Sequence, residues 1–300
     1  MPLSRRQLLG QLGMGGLALA AGLPLRIRAD PLRRVVAITW AAAETLLTLG
    51  VAPLAISDVG YYNRRMPTWP VKPPVLDIGP YWEPNLELLQ QLAPELILCD
   101  PLPPTVDRAL RSIAPTEVVD IYPTDQGVWH SASAFTLRLA ERLDLESHAA
   151  AYLQVANERL EALAEQLAIR PQPPLCIAVL NQDGRHATVY GRNSMAQDVL
   201  DRLGLVNAWQ GPSNAMGFSL TGVERLAETP DTHLLYIEIP TTSARLQSLR
   251  QPNALWDNLP SVRNGQSQPL GKFYPYGGVA SALSLAERIA DYLLQSQPHV

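Results

Sequence analysis

The sequence predicts an α/β protein of two lobes, each with a central, mostly parallel sheet, joined by one long rigid α-helix. Three observations carry that reading. Short β-branched runs alternate with helical stretches in both halves, as in βαβ units around parallel sheets. Residues 131–170, forty in all, contain neither glycine nor proline, which suits a helix longer than an ordinary crossover. Two local patterns occur once in each half, in the same order, as expected of an internal duplication. The expected organisation is a leader at 1–29, a first lobe at 30–130, the linking helix at 131–170 and a second lobe at 171–300.

Taken in order, RRVVAITW from Arg33 reads as a strand, and AAAETLLTLG as a helix ended by Gly50. LAISD is a second strand, GYYNRRMPTWPVKPP a turn-rich passage and VLDIG a third strand. NLELLQQL is a short helix leading through Pro94 into the strand LILCD, followed by a helix around VDRALRSIA and the strand VVDIY. In the long stretch, Leu137, Ala140 and Leu143, then Tyr152, Val155, Leu160, Leu163 and Leu167, recur at helical spacing, with a break at Asp144–Ser147. The second half opens with LCIAVL, ATVYG and the helix NSMAQDVLDRLG.

The repeats are specific. Glu44 precedes Gly50 by six residues, and Asp198 precedes Gly204 by six, within matching apolar segments. Glu87 stands seven residues before Pro94-Glu95 and the strand LILCD; Glu224 stands six before Pro230-Asp231 and LLYIE. An acid in a helix's first turn alone serves the helix dipole, about 0.3–1 kcal/mol. A matched pair, one per half, can also present two carboxylates to arginines of a partner.

Composition bounds the function. At 300 residues, 47% hydrophobic and 17% charged, the chain can bury a substantial core. A net charge of −4, with no basic run in the body, argues against nucleic acid. Arg5 and Arg6, a short apolar run and the small residues Ala18-Leu19-Ala20 form a signal peptide, and SRRQLL resembles the twin-arginine export motif. The two cysteines, Cys99 and Cys176, fall in strand-like segments and are expected to fill the core unpaired. None of GxSxG, a P-loop, HExxH or GxGxxG occurs, so no enzyme class is indicated. Asp77 and Asp183, the acids that invite inspection, read as strand-end turn formers. The five histidines, at 130, 148, 186, 233 and 299, form no short-spaced pair, which disfavours a metal site.

Several segments carry a resemblance: VLDIG, NLELLQQLAPELILCD, ITWAAAETLLTLGV, DIGPYWEPNLELL, YGRNSM and NAWQG. Together with the two-lobe layout they are similar to the periplasmic binding proteins of siderophore and cobalamin ABC importers, nearest the ferric-hydroxamate branch. The resemblance implies a class III binding-protein fold, a periplasmic location, no cofactor, and an iron(III)-siderophore ligand delivered by a monomer to an inner-membrane ABC permease dimer; no lipobox cysteine follows the signal, so a free rather than tethered protein is expected. It implies that Glu87 and Glu224 dock on permease arginines. It places the ligand between the lobes, where the loops carry Trp40, Tyr61, Tyr62, Tyr81, Trp82, Asn193, Met216, Phe218 and the run Phe273-Tyr274-Pro275-Tyr276. Aromatics suit a large chelate, gripping its carbon skeleton while phenols meet its oxygens.

The branch uses an arginine just before EPNLELL and a tyrosine in the next strand-end loop. Here Tyr81 takes the arginine's position, and the next loop, DPLPP, has no tyrosine. Arg64, Arg65, Arg192 and Lys272 are the candidate replacement cations, and their spacing does not choose among them. Hydroxamate, mixed and citrate-based chelates, and direct ligation by a phenolate, stay open. A corrinoid ligand and, less favoured, a free zinc or manganese ion are the alternatives.

Overall fold

The structure, a computed structural model, describes residues 34–66, 68–122, 124–181, 183–228, 231–237 and 253–295. The leader, Pro230 and His299 lie outside the described residues. The first half builds an all-parallel sheet from β1 (Val35–Ala37), β2 (Ala55–Ile56), β3 (Leu76–Asp77), β4 (Leu96–Cys99) and β5 (Thr116–Val118), in the order β3-β2-β1-β4-β5. Its connecting helices are α1 (Trp40–Thr48), α2 (Val59–Arg65), α3 (Leu86–Leu92) and α4 (Pro104–Arg111). The order reverses between β1 and β4, which puts a topological switch point, the usual ligand crevice of such sheets, at their carboxyl ends.

The chain then passes through α5 (Val128–Arg142) and the 23-residue α6 (Glu146–Ala168). The second half contains β6 (Leu175–Leu180), β7 (His186–Tyr190), α7 (Met195–Arg202) and β8 (Phe218–Gly222), then a 3-10 turn at Val223–Glu228 and β9 (His233–Tyr236). Two four-residue helices, α8 (Ala254–Asp257) and α9 (Pro260–Arg263), β10 (Ser267–Pro269) and the long α10 (Val279–Gln295) complete it. The second sheet runs β10-β9-β6-β7-β8.

Local chemistry explains the helix ends. Asn85 caps α3 by accepting from the Leu88 amide at 2.9 Å, and Ser194 caps α7 by accepting from Gln197 at 3.0 Å. Gly50 (φ +76°) and Gly204 (φ +70°) terminate the repeated helices α1 and α7, and the next amides, Val51 and Leu205, close both turns at 2.9 Å onto Leu46 and Leu200.

Two features depart from the sequence reading, and a third refines it. The passage after the second strand contains α2 rather than only turns. Tyr62 and Arg65 on this helix are buried, so tertiary packing fixes a segment whose composition reads as loop. The fifth strand begins two residues before VVDIY and ends on its first residue, at Thr116–Val118, and Ile121 and Tyr122 belong to the cavity described below. The second sheet is not parallel throughout, because β7 pairs antiparallel with both β6 and β8. The β6–β7 connection is too short for a crossover, and Asp183 pins it by accepting from the amides of Arg185 and His186.

Alternation along the strands builds three apolar layers. Val35, Ala37, Leu96 and Leu98 from the first sheet, and Leu175, Ile177, Val179 and Leu235 from the second, join α1, α5, α6, α7 and α10 in one continuous core. Val36, Ile97 and Cys99 face a separate outer layer over α3 and α4, whereas Cys176, Ala178 and Leu234 face another. The cysteines are therefore free, buried and on different outer layers. Burial pushes the Cys99 thiol up to about 11 and Cys176 to about 12.

Two carboxylates cross between the halves. Glu44 on α1 is 1% exposed and accepts hydrogen bonds from the Gly278 amide and the Ser281 hydroxyl, both at 2.6 Å, at the start of α10. Asp198 on α7 accepts from the Trp129 amide at 2.7 Å, at the start of α5. Each is an acid at a helix N-terminus, where unsatisfied amides and the helix dipole offset part of the cost of its ionisation. Glycines precede both helices because the approach is so close: a Cβ on Gly127 would lie 2.7 Å from Asp198 Oδ1, and one on Gly277 would meet the Ser281 hydroxyl first and then Glu44 Oε2 at 3.0 Å.

Burial raises Glu44 from 4.5 to about 7, against the lowering effect of its hydrogen bonds. An acid whose folded pKa exceeds its unfolded value contributes fully below the unfolded value, and that contribution is lost as pH rises through the folded one. The gap is worth ~3 kcal/mol at about 1.36 kcal/mol per pKa unit. Unfolding free energy from denaturant titration should fall by ~2–3 kcal/mol from pH 5 to pH 8 on this account. Glu44→Gln should flatten that slope; an equal slope in both proteins would reject Glu44 as its source.

Candidate functional site

A cavity of about 800 Å³ lies between the two sheets, within the ~300–1,000 Å³ span of small-molecule sites. Its first wall comes from the carboxyl ends of the parallel strands: Thr39 and Trp40 after β1, Asp58 after β2, Asp100 after β4, and Ile121 and Tyr122 after β5. The second wall is a sheet face. Val179 pairs with Thr188 and Tyr190 with Phe218 across β6, β7 and β8, and all four line the cavity with Asn181 and Met216. The loop after β10 contributes Tyr274, Pro275 and Tyr276.

A relay of rings, edge-to-face except for the tilted Trp40–Tyr274 pair, spans the two walls. Trp40 meets Tyr61 at 5.4 Å and Tyr274 at 4.8 Å; Tyr274 meets Tyr276 at 6.0 Å, and Tyr276 meets Tyr122 at 5.4 Å. Trp40 is fixed by its indole N–H, which donates to the Ser57 carbonyl at 2.9 Å. Tyr122 donates to the Gly277 carbonyl at 3.1 Å, joining the relay to the start of α10. Tyr81 and Trp82 form a further edge-to-face pair at 4.9 Å, half and 63% exposed, at the mouth.

Arg65 supplies the cavity's cation. It is 7% exposed; one terminal nitrogen donates to the Tyr61 hydroxyl at 3.1 Å and the other to the Phe273 carbonyl at 3.3 Å. Its guanidinium lies 5.7 Å from the Tyr61 ring centre and 5.9 Å from that of Tyr274. Its Nε is buried without a hydrogen-bond partner, so the guanidinium is not fully satisfied by the protein. Burial pushes the Tyr276 phenol up to about 12 and holds Tyr122, Tyr190 and Tyr274 well above the ordinary phenol value. These groups are O–H donors rather than phenolates at neutral pH.

Of the expected ligand residues, the structure brings together Trp40, Tyr61, Tyr81, Trp82, Met216, Phe218 and Tyr274. It does not bring Tyr62, Arg192, Asn193 or Lys272 to the cavity lining. Tyr62 points into the core at 0% exposure, and so does Phe273 at 1%. Arg192, Asn193 and Lys272 are exposed elsewhere, and Asn193 (φ +67°) shapes the turn into α7. Among the four candidate cations, burial selects Arg65. Sequence reasoning missed Asp58, Asp100, Asn181, Thr188 and Tyr190. The last two were legible as alternate positions of a strand, HATVY, whose other residues Ala187 and Val189 face the outer layer. The acids flagged by sequence serve the backbone: Asp77 accepts from the Val59 and Gly79 amides, and Asp183 shapes the β6–β7 turn.

Residues 35–268 match the family described as periplasmic binding protein. The chain belongs to that family. It is 30% identical over 289 residues to the iron(3+)-hydroxamate-binding protein FhuD of Escherichia coli (strain K12), covering 96% of both chains. It is 22% identical over 235 residues to the Fe(3+)-citrate-binding protein YfmC of Bacillus subtilis (strain 168), covering 78% of this chain and 71% of that one. Its fold superposes with a TM-score of 0.79 and 26% identity on the crystal structure of the siderophore-binding protein FhuD from Vibrio cholerae bound to Fe3+-Desferal, covering 89% of this chain and 99% of that one. As a periplasmic binding protein the chain has two α/β halves around a shared crevice. Among the described residues, no helix is long and apolar enough to cross a membrane, and no three His, Cys, Asp or Glu side chains gather as metal ligands.

Proposed function

We propose that this protein captures a ferric siderophore in the aromatic cavity and delivers it to an inner-membrane ABC permease. The observation that carries the reading is the cavity itself. It has a relay of aromatic rings, protonated phenols and one buried guanidinium, in a chain 30% identical over 96% of its length to an iron(3+)-hydroxamate-binding protein. Rings grip the carbon skeleton of a chelate, and N–H and O–H donors meet the oxygens that surround its iron. In this reading Arg65 performs the role that the hydroxamate branch gives to an arginine at the position of Tyr81. Direct ligation of iron by the cavity phenols is disfavoured, because burial opposes their ionisation.

The protein acts as a periplasmic monomer, exported through the twin-arginine-type leader at 1–29. Its two lobes span 30–130 and 171–300, and α6 and α10 brace them. Glu87 and Glu224 are the permease contacts. Both are exposed in the first turn of a short helix, α3 and the 3-10 turn at Val223–Glu228, and neither forms an ion pair with a described residue. No enzymatic step is assigned.

Trp40 and Trp82 line the cavity, so intrinsic fluorescence should report its occupant. Titration with ferric hydroxamates, citrate-hydroxamates, catecholates, their iron-free forms and cobalamin should give saturable quenching by a ferric class, after correction for absorbance. A response confined to cobalamin would move the protein to corrinoids, and silence throughout would refute both. Arg65→Ala should weaken the responding chelate about 10–100-fold, the loss expected for a charge-assisted hydrogen bond, whereas unchanged affinity would remove Arg65 from the site. The pair Glu87→Ala and Glu224→Ala should abolish uptake in cells with ligand affinity intact; a large loss of affinity would overturn the docking role.

A further inference from the structure

The charged groups of the cavity lining are Asp58, Arg65 and Asp100, and all three stand on the first-half wall. Among the described residues, the opposite wall offers only apolar, amide and hydroxyl groups, including Asn181, Thr188, Tyr190 and Phe218. Two carboxylates thus face one guanidinium. Neither Asp58 nor Asp100 forms an ion pair with a described residue, and Arg65 is committed to Tyr61 and the Phe273 carbonyl rather than to either acid. Burial is the main cause that raises both acids, with Asp77 adding to it at Asp58 and a Thr39 hydrogen bond opposing it at Asp100. That is the signature of carboxylates without a counter-cation. Arg64, the other cation nearby, lies 5.5 Å over the Tyr61 ring but is exposed and outside the lining, where solvent screens it.

The topology spaces the two acids. β2 and β4 flank β1 on either side, so Asp58 and Asp100 stand about 10 Å apart at ~4.8 Å per strand, astride Trp40. An iron(III) chelate of three hydroxamates is neutral, whereas three catecholates leave it at −3 and citrate-based chelates are anionic.

We propose that Asp58 and Asp100 select by charge, admitting iron(III) chelates that are neutral or carry a protonated amine and rejecting anionic ones. The inference rests on the ferric-siderophore reading and narrows it: the iron centre sits at Arg65 and the phenols, and the acids face the chelate's periphery. Selection acts through repulsion as much as attraction, since an anion brought beside unpaired carboxylates in a dehydrated crevice gains no compensating contact.

The test varies only the periphery of one chelate. Ferric desferrioxamine with its terminal amine free, acetylated or succinylated carries a charge of +1, 0 or −1 on the same iron centre. Calorimetric titration of the wild-type protein should rank the three in that order, with at least a tenfold spread between the ends that widens at low salt. Asp58→Asn with Asp100→Asn should collapse the spread. The substitutions are isosteric, and Asn tolerates the left-handed backbone at position 58 (φ +48°); a near-ultraviolet dichroism spectrum like that of the wild type verifies the fold. Equal affinities across the wild-type series, or a spread that survives in the variant, would overturn charge selection while leaving the siderophore reading intact. Tight binding of a ferric tricatecholate with none of the three desferrioxamines bound would also overturn it and leave that reading intact. Failure of every ferric chelate would refute the siderophore reading, and this inference with it.

Discussion

The arrangement depends on a buried carboxylate. Glu44 stands in the core between the halves and meets the first amide and hydroxyl of α10, the helix that returns from the end of the second half to pack on α1. Removing an ion from water is costly unless its hydrogen-bonding capacity is met. The site meets that condition only when α1 and the start of α10 hold one relative position. The same residues fix the Gly277–Gly278 corner, and with it the preceding aromatic loop. The register of Tyr274 and Tyr276 against Trp40 and Tyr122 thus follows from an interaction outside the cavity.

From that constraint the cavity inherits its division of labour. Among the described residues, the charges stand on the first wall, at the ends of parallel strands beside the switch point, and the second, a sheet face, carries none. Arg65 joins the two, reaching from α2 to the Phe273 carbonyl of the β10 loop. A cation at such a junction serves the ligand and the wall together, so its neighbours are chosen for both tasks. The rings of Tyr61 and Tyr274 pack beside the guanidinium while leaving its Nε unpaired.

Much of the fold was legible because its signals are local. Gly50 and Gly204 end the repeated helices with left-handed turns that other residues adopt reluctantly, and Glu44 and Asp198 stood out by recurring six residues ahead of them. What could not be read was direction. Tyr61 and Tyr62 are neighbours of one type, yet one lines the cavity and the other enters the core, a difference set by how α2 rotates against the sheet. The same rotation buries Arg65 and exposes Arg64. Which of the four candidate cations would enter the cavity was not legible, because α2 brings Arg65 in from a segment that composition presents as a loop. Thr188 and Tyr190 were not legible as cavity residues because alternation separates the two faces of β7 without saying which faces the ligand crevice and which the outer layer.

The pairing of the repeated acids carries a consequence for modularity. Glu44 precedes the α5–α6 junction and its partners follow it; Asp198 follows that junction and its partner amide precedes it. A cut between α5 and α6 would therefore separate each acid from the helix it completes, twice over and in opposite directions. The duplication visible in the sequence is not a string of two self-sufficient domains. Grafting one half alone onto a relative would transplant an anion without its amide and an amide without its anion. Chimeras should be designed around the exchanged pair, carrying α1 with the start of α10 and α7 with the start of α5, rather than around the two sheets.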